Sequence, residues 1–200
     1  TANELEFAND CEAGTPTWTA LGGGGSGSSL WTDNTTYISR DGDVVVTGTH
    51  DGNDDAAPIT GASTRMVFDT SQSAFMAGRV TGTQWDNPGE YSFASGYDTE
   101  ASGYASTAVG LRSEASGMGS VAMGSSALAS GNASIALGRA RATQSNSIAM
   151  GSARATGTNS FAYGDSFTEA SGPDSIAMGS RVRSEGFKSI AIGQDLHANV

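Results

Sequence analysis

The second half of the chain alternates small and large side chains in a phrase that recurs. The phrase is Ser-Φ-Ala-Φ-Gly, where Φ is a larger side chain, as in residues 134–138. Alternation with a period of two is typical of a β-strand. A helix is disfavoured because a glycine returns about every seven residues and costs about 1 kcal/mol each time relative to alanine. The pattern therefore predicts short strands that end in glycine.

The phrase occurs eight times, and its spacing is nearly constant. The final glycines are Gly96, Gly110, Gly124, Gly138, Gly151, Gly164, Gly179 and Gly193. The steps between them are about 14 residues long, a regularity that indicates a repeat architecture. The two steps that begin at Gly138 and Gly151 are one residue shorter, and the step that begins at Gly164 is one residue longer. We call these the short units and the long unit.

A second small segment follows each phrase after about seven positions, as in Ala-Ser-Gly at 101–103 and 115–117. Two short strands and two tight turns per repeat describe one coil of a β-solenoid. Coils stack in register at about 4.8 Å, so seven steps give a column of roughly 34 Å. Glycine suits the ends of the strands because tight turns often need a positive φ. We expect the short and long units to absorb the difference in a turn, so that both strands stay in step.

The large side chains form two columns along the predicted solenoid. The members that we expect to pack within the coil or between chains are Val121, Met123, Ile135, Leu137, Ile148, Met150, Phe161, Tyr163, Ile176, Met178, Ile190 and Ile192. Side chains facing inward would fill the coil, and side chains facing outward would form an apolar stripe. We expect them to serve both purposes. A stripe of this length exceeds what a soluble monomer normally exposes, so the chain is predicted to form oligomers.

The phrases at 120–124, 134–138 and 189–193 resemble the head repeats of YadA-type trimeric autotransporter adhesins. The resemblance covers residues 91–200. It implies an all-β, left-handed parallel β-roll, a homotrimer and a place outside the cell. The fit departs from the family at Phe93, Ser95, Thr107 and Tyr163, so the first coil is expected to act as a cap.

The first ninety residues divide at a glycine-rich stretch, residues 22–29. Residues 1–29 are predicted to be an N-terminal segment and linker. Residues 30–90 are predicted to be a β-rich connector, with a hairpin at Asp41-Gly42 and a second strand pair at 66–69 and 73–78. The phrases at 30–46 and 66–86 are similar to the shafts of phage tail fibres and fibre-like bacterial surface proteins.

Composition narrows the possible partners. The net charge is −11, with 15 acidic and 3 basic residues in 1–110, and 6 acidic and 7 basic in 111–200. This distribution has no dense basic patch of the kind that nucleic-acid binding needs. No apolar run reaches the roughly 18 residues of a membrane span, so this segment is not expected to insert. Cys11 is the single cysteine, which excludes an intrachain disulfide.

Candidate chemistry is sparse. Asp51, Asn53 and Asp55 have the opening spacing of a calcium loop, but its twelfth position is Ala62, so a solvated acidic turn is the simpler interpretation. Asp165 and Glu169 lie in one turn, and carboxylate pairs do cleave glycans in solenoid enzymes. Neighbouring coils offer no second acidic cluster. We therefore predict no enzyme activity, no cofactor and no metal.

Basic residues follow the strand glycines in the predicted turns. They are Arg112, Arg139, Arg141, Arg154, Arg181 and Arg183, with Lys188 near the last repeat. Stacking would place them along one edge, where arginines could bind an anionic glycan or matrix polymer. The alternative is a set of solvated charges that discourage aggregation of sheet edges.

The sequence therefore predicts a non-enzymatic, adhesive segment of a homotrimeric extracellular fibre, either like a tail fibre or like a surface adhesin. The first alternative is a module that binds a glycan or matrix protein directly through the arginine edge. A remote alternative is a glycan-active solenoid enzyme.

Overall fold

The structure is a computed structural model that describes residues 61–69 and 71–199. All regular elements in this part of the chain are β-strands, and they form two sheets. The predicted linker at 1–29, the hairpin at Asp41-Gly42 and the candidate calcium loop with Asp51, Asn53 and Asp55 lie outside the described residues.

The larger sheet contains ten strands and begins with an antiparallel hairpin. The hairpin is β1 (Ser63–Asp69) with β2 (Ala74–Val80), which confirms the second strand pair expected from the sequence. The other eight are β3 (Phe93–Tyr97), β5 (Thr107–Leu111), β7 (Val121–Ser125), β9 (Ile135–Gly138), β11 (Ile148–Gly151), β13 (Phe161–Gly164), β15 (Ile176–Ser180) and β17 (Ile190–Gln194). From β2 onward, each strand pairs in parallel with the next. The sheet thus runs across residue 90 without a break.

The smaller sheet contains eight strands of two residues each. They are β4 (Glu100–Ala101), β6 (Glu114–Ala115), β8 (Leu128–Ala129), β10 (Arg141–Ala142), β12 (Arg154–Ala155), β14 (Glu169–Ala170), β16 (Arg183–Ser184) and β18 (His197–Ala198). All are parallel to their neighbours. One long and one short strand per coil confirm the predicted stacked parallel solenoid.

The short and long units keep both ladders in register. Ile135, Ile148, Phe161 and Ile176 are successive partners in the large sheet, although the units that separate them differ in length. Each short strand starts three, four or five positions after the strand glycine, whereas its second residue always precedes the next long strand by six. The turn after the glycine therefore absorbs the whole difference, as expected.

The interior of the column is made of small side chains. From β3 onward, the central alanine of each long strand is buried, and so is the serine that precedes the strand. In the short strands from β4 to β16, the second residue and the residue before the strand are also buried. In the coil that begins at β9, these four positions are Ala136, Ser134, Ala142 and Ala140, each 0% exposed. The two sheets can approach closely because alanine and serine keep the space between them narrow.

The large Φ side chains lie outside this interior. Val121, Ile135 and Ile148 are half-buried in the single chain, and Met123 and Ile192 are exposed. The expectation that the Φ columns also fill the coil is therefore wrong. The physical reason is the period of two: once alanine faces inward, its two neighbours must face outward.

Within the part of the chain that the structure describes, the hairpin rather than the coil at Phe93 lies at the first end of the column. Met76 takes the place of the interior alanine next to Ala94, and Trp85 fills the same coil, 1% exposed. The Trp85 indole N–H donates to the carbonyl oxygen of Thr99 at 2.8 Å. The prediction that the coil at Phe93 is the cap is therefore wrong, because β3 has strand partners on both sides. Among the described residues, β1 is the edge strand.

The strand glycines have positive φ, from +80° at Gly151 to +153° at Gly164. At Gly110, where φ is +117°, a Cβ atom would also overlap the carbonyl oxygen of Gly124 in the next coil. Glycine is needed there both for its conformation and for the close approach of two backbones.

Candidate binding surfaces

The outer face of the large sheet carries two apolar columns. In order from β7 to β17, the first contains Val121, Ile135, Ile148, Phe161, Ile176 and Ile190, and the second contains Met123, Leu137, Met150, Tyr163, Met178 and Ile192. Exposed fractions reach 42% for Met123, 49% for Tyr163 and 62% for Ile190. Neighbours in each column shield one another, but one face of the stripe remains open to solvent.

The turn that precedes each long strand forms a second edge. Asn146 donates from its side-chain amide to Asn159 at 3.1 Å, and Asn159 donates to the Asp174 carboxylate at 2.9 Å. Toward β3 the same edge is aromatic, where the Tyr91 and Tyr104 rings meet edge to face with centroids 5.4 Å apart. A hydrogen bond with Glu90 raises the pKa of Tyr91.

The six predicted edge arginines lie at three kinds of position. Arg141, Arg154 and Arg183 are the first residues of short strands and share one ladder. Arg112 and Arg181 have positive φ in the turn after the glycine. Arg139 directly follows Gly138. The smaller sheet therefore brings three of the six together.

A cleft opens beside the long unit. Its walls are formed by Arg154, Ser166, Phe167, Glu169, Arg181 and Arg183. Phe167 belongs to the longer turn and is 70% exposed, while Arg154 forms no ion pair among the residues that the structure describes. An aromatic ring beside a guanidinium provides an apolar contact and a charged donor at one place.

Asp165 holds this longer turn in place. Its carboxylate accepts hydrogen bonds from the hydroxyls of Ser180 at 2.7 Å and Thr168 at 3.1 Å. The backbone N–H groups of Phe167, at 3.0 Å, and Arg181, at 3.2 Å, also donate to it. These bonds, the one from Ser180 above all, lower the pKa of Asp165 to about 2. A carboxylate engaged in this way is suited to anchoring a turn and poorly suited to donating a proton.

Ion pairs connect the last coils. The Arg181 guanidinium forms a two-pronged pair with Asp195, one contact being Nη2 to Oδ2 at 2.7 Å. The hydrogen bond raises the pKa of Arg181 and lowers that of Asp195. Glu185 contacts His197 at 2.9 Å and Arg183 at 2.8 Å, and the hydrogen bond from His197 lowers the pKa of Glu185.

Other kinds of site are not found among the described residues. Residues 61–69 and 71–199 bring together no group of three or more histidine, cysteine or acidic side chains suited to a metal ion. The same residues include no helix with the length and hydropathy of a membrane span.

Comparison with known proteins was made by family, by curated protein and by solved structure. The family model described as YadA head domain repeat (2 copies) matches residues 88–113, 115–140 and 142–166. Residues 88–166 are therefore similar to YadA head repeats. Each match spans about two coils, and the three follow one another with a single residue between them. Neither the curated proteins nor the solved structures gave a match.

The YadA head repeat is a structural adhesin module rather than the fold of an enzyme family, and the solenoid described above agrees with this kind of protein. The phage tail-fibre resemblance of the earlier residues has no support from these comparisons and stays a prediction.

Sequence reasoning missed three features of these surfaces. Trp85 was not recognised as a cap, although an isolated tryptophan just before the first repeat was a usable signal. The anchoring role of Asp165 was missed, although it directly follows the glycine of the long unit. The outward column of the short strands was missed because the spacing of the arginines does not show that glutamates share their register.

Proposed function

We propose that this chain is an adhesive, non-enzymatic segment of a homotrimeric extracellular fibre, located at a cell surface. The observation that carries the proposal is the pair of apolar columns on the outer face of the large sheet. An apolar stripe along a whole column is what three copies would bury against one another. The YadA head repeats support it further, because proteins with these repeats form trimers.

Such a fibre acts mechanically. A continuous ladder of backbone hydrogen bonds makes the column stiff, and three columns that share an apolar centre resist bending further. Repetition along the fibre then multiplies weak surface contacts into avidity. The segment would hold a receptor-binding surface at a fixed distance and contribute contacts of its own.

The test of the trimer is an Ile148→Glu substitution at the middle of the first column, measured by light scattering after size-exclusion chromatography. We expect the wild-type chain to have three times the mass of its monomer and the variant to dissociate. The matched control is Thr158→Glu, at an exposed turn outside both columns. A wild-type chain that stays monomeric at micromolar concentration would refute the proposal.

A second candidate is direct binding of an anionic glycan, favoured by the cleft beside Phe167. The Arg154 guanidinium would contact a carboxylate or sulfate group, and the Phe167 ring would lie against the sugar. The test is titration with heparin and with hyaluronate, for sulfate and carboxylate respectively. We expect Arg154→Ala to weaken binding and Arg139→Ala, outside the cleft, to leave it unchanged. Equal binding by both variants would remove this candidate.

A further inference from the structure

The outward residues of the short strands form a column with an unusual order of charges. Along the smaller sheet, Glu100 pairs with Glu114, Glu114 with Leu128, Leu128 with Arg141, and Arg141 with Arg154. The alanine that follows each of them is buried. Their own side chains are half-buried at Glu100 and Leu128 and exposed at Glu114, Arg141 and Arg154. We call these five residues the charged column.

Both ends of the charged column place like charges side by side. Neighbours in a parallel ladder are about 4.8 Å apart, where like charges repel each other. Within the described residues, neither the two glutamates nor the two arginines take part in an ion pair. Burial, and after it the charge of the neighbouring Glu114, raises the pKa of Glu100. The ladder continues from Arg154 to Glu169, whose carboxylate forms its ion pair with Arg183 at 3.6 Å. Among residues 61–69 and 71–199, the two glutamates and the two arginines of the charged column thus have no ion-pair partner.

The charged column is complementary to itself when it is reversed. A twofold axis through Leu128 that runs along the strand direction would set Leu128 against its own copy. The same axis would set Glu114 against Arg141 of the other copy, and Glu100 against Arg154. The residues that follow the short strands in these coils are Ser102, Ser116, Ser130, Thr143 and Thr156, all of them uncharged.

We propose that the smaller sheet binds the same sheet of a second copy in antiparallel orientation, with Leu128 at the twofold axis and the glutamates of each copy paired to the arginines of the other. The partner that binds this face is therefore a second copy of this chain. This contact uses the sheet opposite to the apolar columns, so it requires no trimer and interferes with none.

The size of the contact predicts its strength. Five coils span about 19 Å at 4.8 Å per step, and each contributes one outward side chain in this column. A patch of this size is small for a stable complex, so one pair of faces should associate weakly and depend strongly on salt. Fibres that lie side by side repeat the contact, and repetition would convert it into firm lateral association.

The first test exchanges the charges at the two exposed positions next to the axis. Glu114→Arg and Arg141→Glu are each placed in the otherwise unchanged chain, and association is measured by sedimentation velocity at low salt. Each variant alone brings like charges together, so we expect its affinity for itself to fall about tenfold or more. An equimolar mixture of the two should regain association, because both contacts next to the axis of the mixed pair then join one arginine to one glutamate.

The double variant Glu114→Arg with Arg141→Glu provides a stricter check, because it reverses both charges and restores complementarity within one chain. We expect it to associate like the wild-type chain. The matched control is Arg139→Glu, which changes an exposed arginine outside the charged column and should leave association unchanged. Circular dichroism spectra and Tm values confirm that every variant is folded. Unaltered self-association of both single variants would overturn the proposal.

The second test determines the orientation. In a chain with Cys11→Ser, single cysteines are placed at Glu114→Cys and Arg141→Cys, and the two chains are oxidised separately and together. Antiparallel pairing predicts a cross-link between position 114 of one chain and position 141 of the other. A parallel contact would link each variant to itself, and that result, or binding of heparin with no self-association, would overturn the proposal.

Discussion

At the scale of single residues, the solenoid depends on which positions tolerate a Cβ atom. Gly110 and Gly119 both have positive φ, +117° and +63°, but their surroundings differ. A Cβ atom at Gly110 would overlap the backbone of the next coil, whereas at Gly119 nothing lies within 4 Å. Alanine already occupies the position equivalent to Gly119 in two other coils, at Ala105 and Ala133. Substitutions at the two glycines therefore distinguish the cost of a left-handed backbone conformation from the cost of overlap with the next coil.

We expect Gly110→Ala to lower the free energy of unfolding by about 3 kcal/mol or more, since both backbone strain and overlap must be relieved. Gly119→Ala should lower it by about 1 kcal/mol, the cost of the left-handed conformation alone. Urea denaturation followed by circular dichroism measures both. Equal losses in the two variants would mean that the stacked backbones can move apart.

A second prediction at the scale of single residues concerns the loss of stability at low pH. The pKa of Asp165 is lowered in the folded chain to about 2 from an ordinary value of 3.8. Its contribution to stability is therefore complete above pH 3.8 and disappears as the pH falls through 2. We expect Asp165→Asn to be less stable than the wild-type chain at pH 7 and to approach it at pH 2. Asp174→Asn is the control, and the measurement is Tm against pH.

At the scale of elements, the small interior fixes the distance between the two sheets. Ala149 lies within β11 and is 0% exposed, between Ala136 and Ala162 of the adjacent coils. Coils on both sides are tied to it by backbone hydrogen bonds, so the interior cannot widen at one level alone. The size of an interior side chain is therefore restricted more strictly in this column than in a core of large side chains.

We expect Ala149→Leu to destabilise the chain by about 3 kcal/mol, at the upper end of what overpacking costs. Met150→Leu, at the next position of the same strand, should cost less than about 1.5 kcal/mol because it conserves volume and faces outward. Thermal and urea unfolding of the pair compares the two faces of one strand directly. A tolerated leucine at position 149 would show that the coil can expand locally.

Most of the elements could be predicted from the sequence because period two and a fixed repeat length are local signals. Strand positions, parallel stacking and the turn that absorbs the short and long units all follow from spacing. The spacing did not predict which face of each strand points into the column. Alanine and isoleucine can both fill a coil, and the choice depends on how closely the two sheets approach. The cap at Trp85 was also missed, since the coil that contains it lacks the repeated phrase.

The surfaces were less predictable than the fold. Spacing along the chain placed the arginines in turns, but only the register of the short strands shows that Arg141 and Arg154 are neighbours while Arg112 and Arg181 lie elsewhere. The cleft was not predictable, because it depends on how the additional length of one turn displaces Phe167 outward.

At the scale of the whole molecule, each coil contacts only its neighbours. The length of the column is therefore proportional to the number of coils. Deletion of residues 125–138 joins Gly124 to Arg139 and removes one whole repeat. We expect this variant to fold, to keep both ladders in register and to be shorter by about 4.8 Å. Small-angle scattering gives the length, and circular dichroism gives the fold.

The control for this deletion removes half a repeat, residues 132–138. It would place a short strand where a long one is expected and interrupt both ladders, so we expect it to be unfolded or insoluble. A folded half-repeat variant would contradict the division of each coil into two unequal strands.

The turn after the strand glycine has a consequence for how such solenoids diversify. It lets the short strand begin three, four or five positions after the glycine, and neither ladder shifts. Where it is longest, the extra length places Phe167 on the flank of the column, 70% exposed. Each coil thus offers one place where residues can be inserted, and new side chains displayed on the flank, without altering the fold.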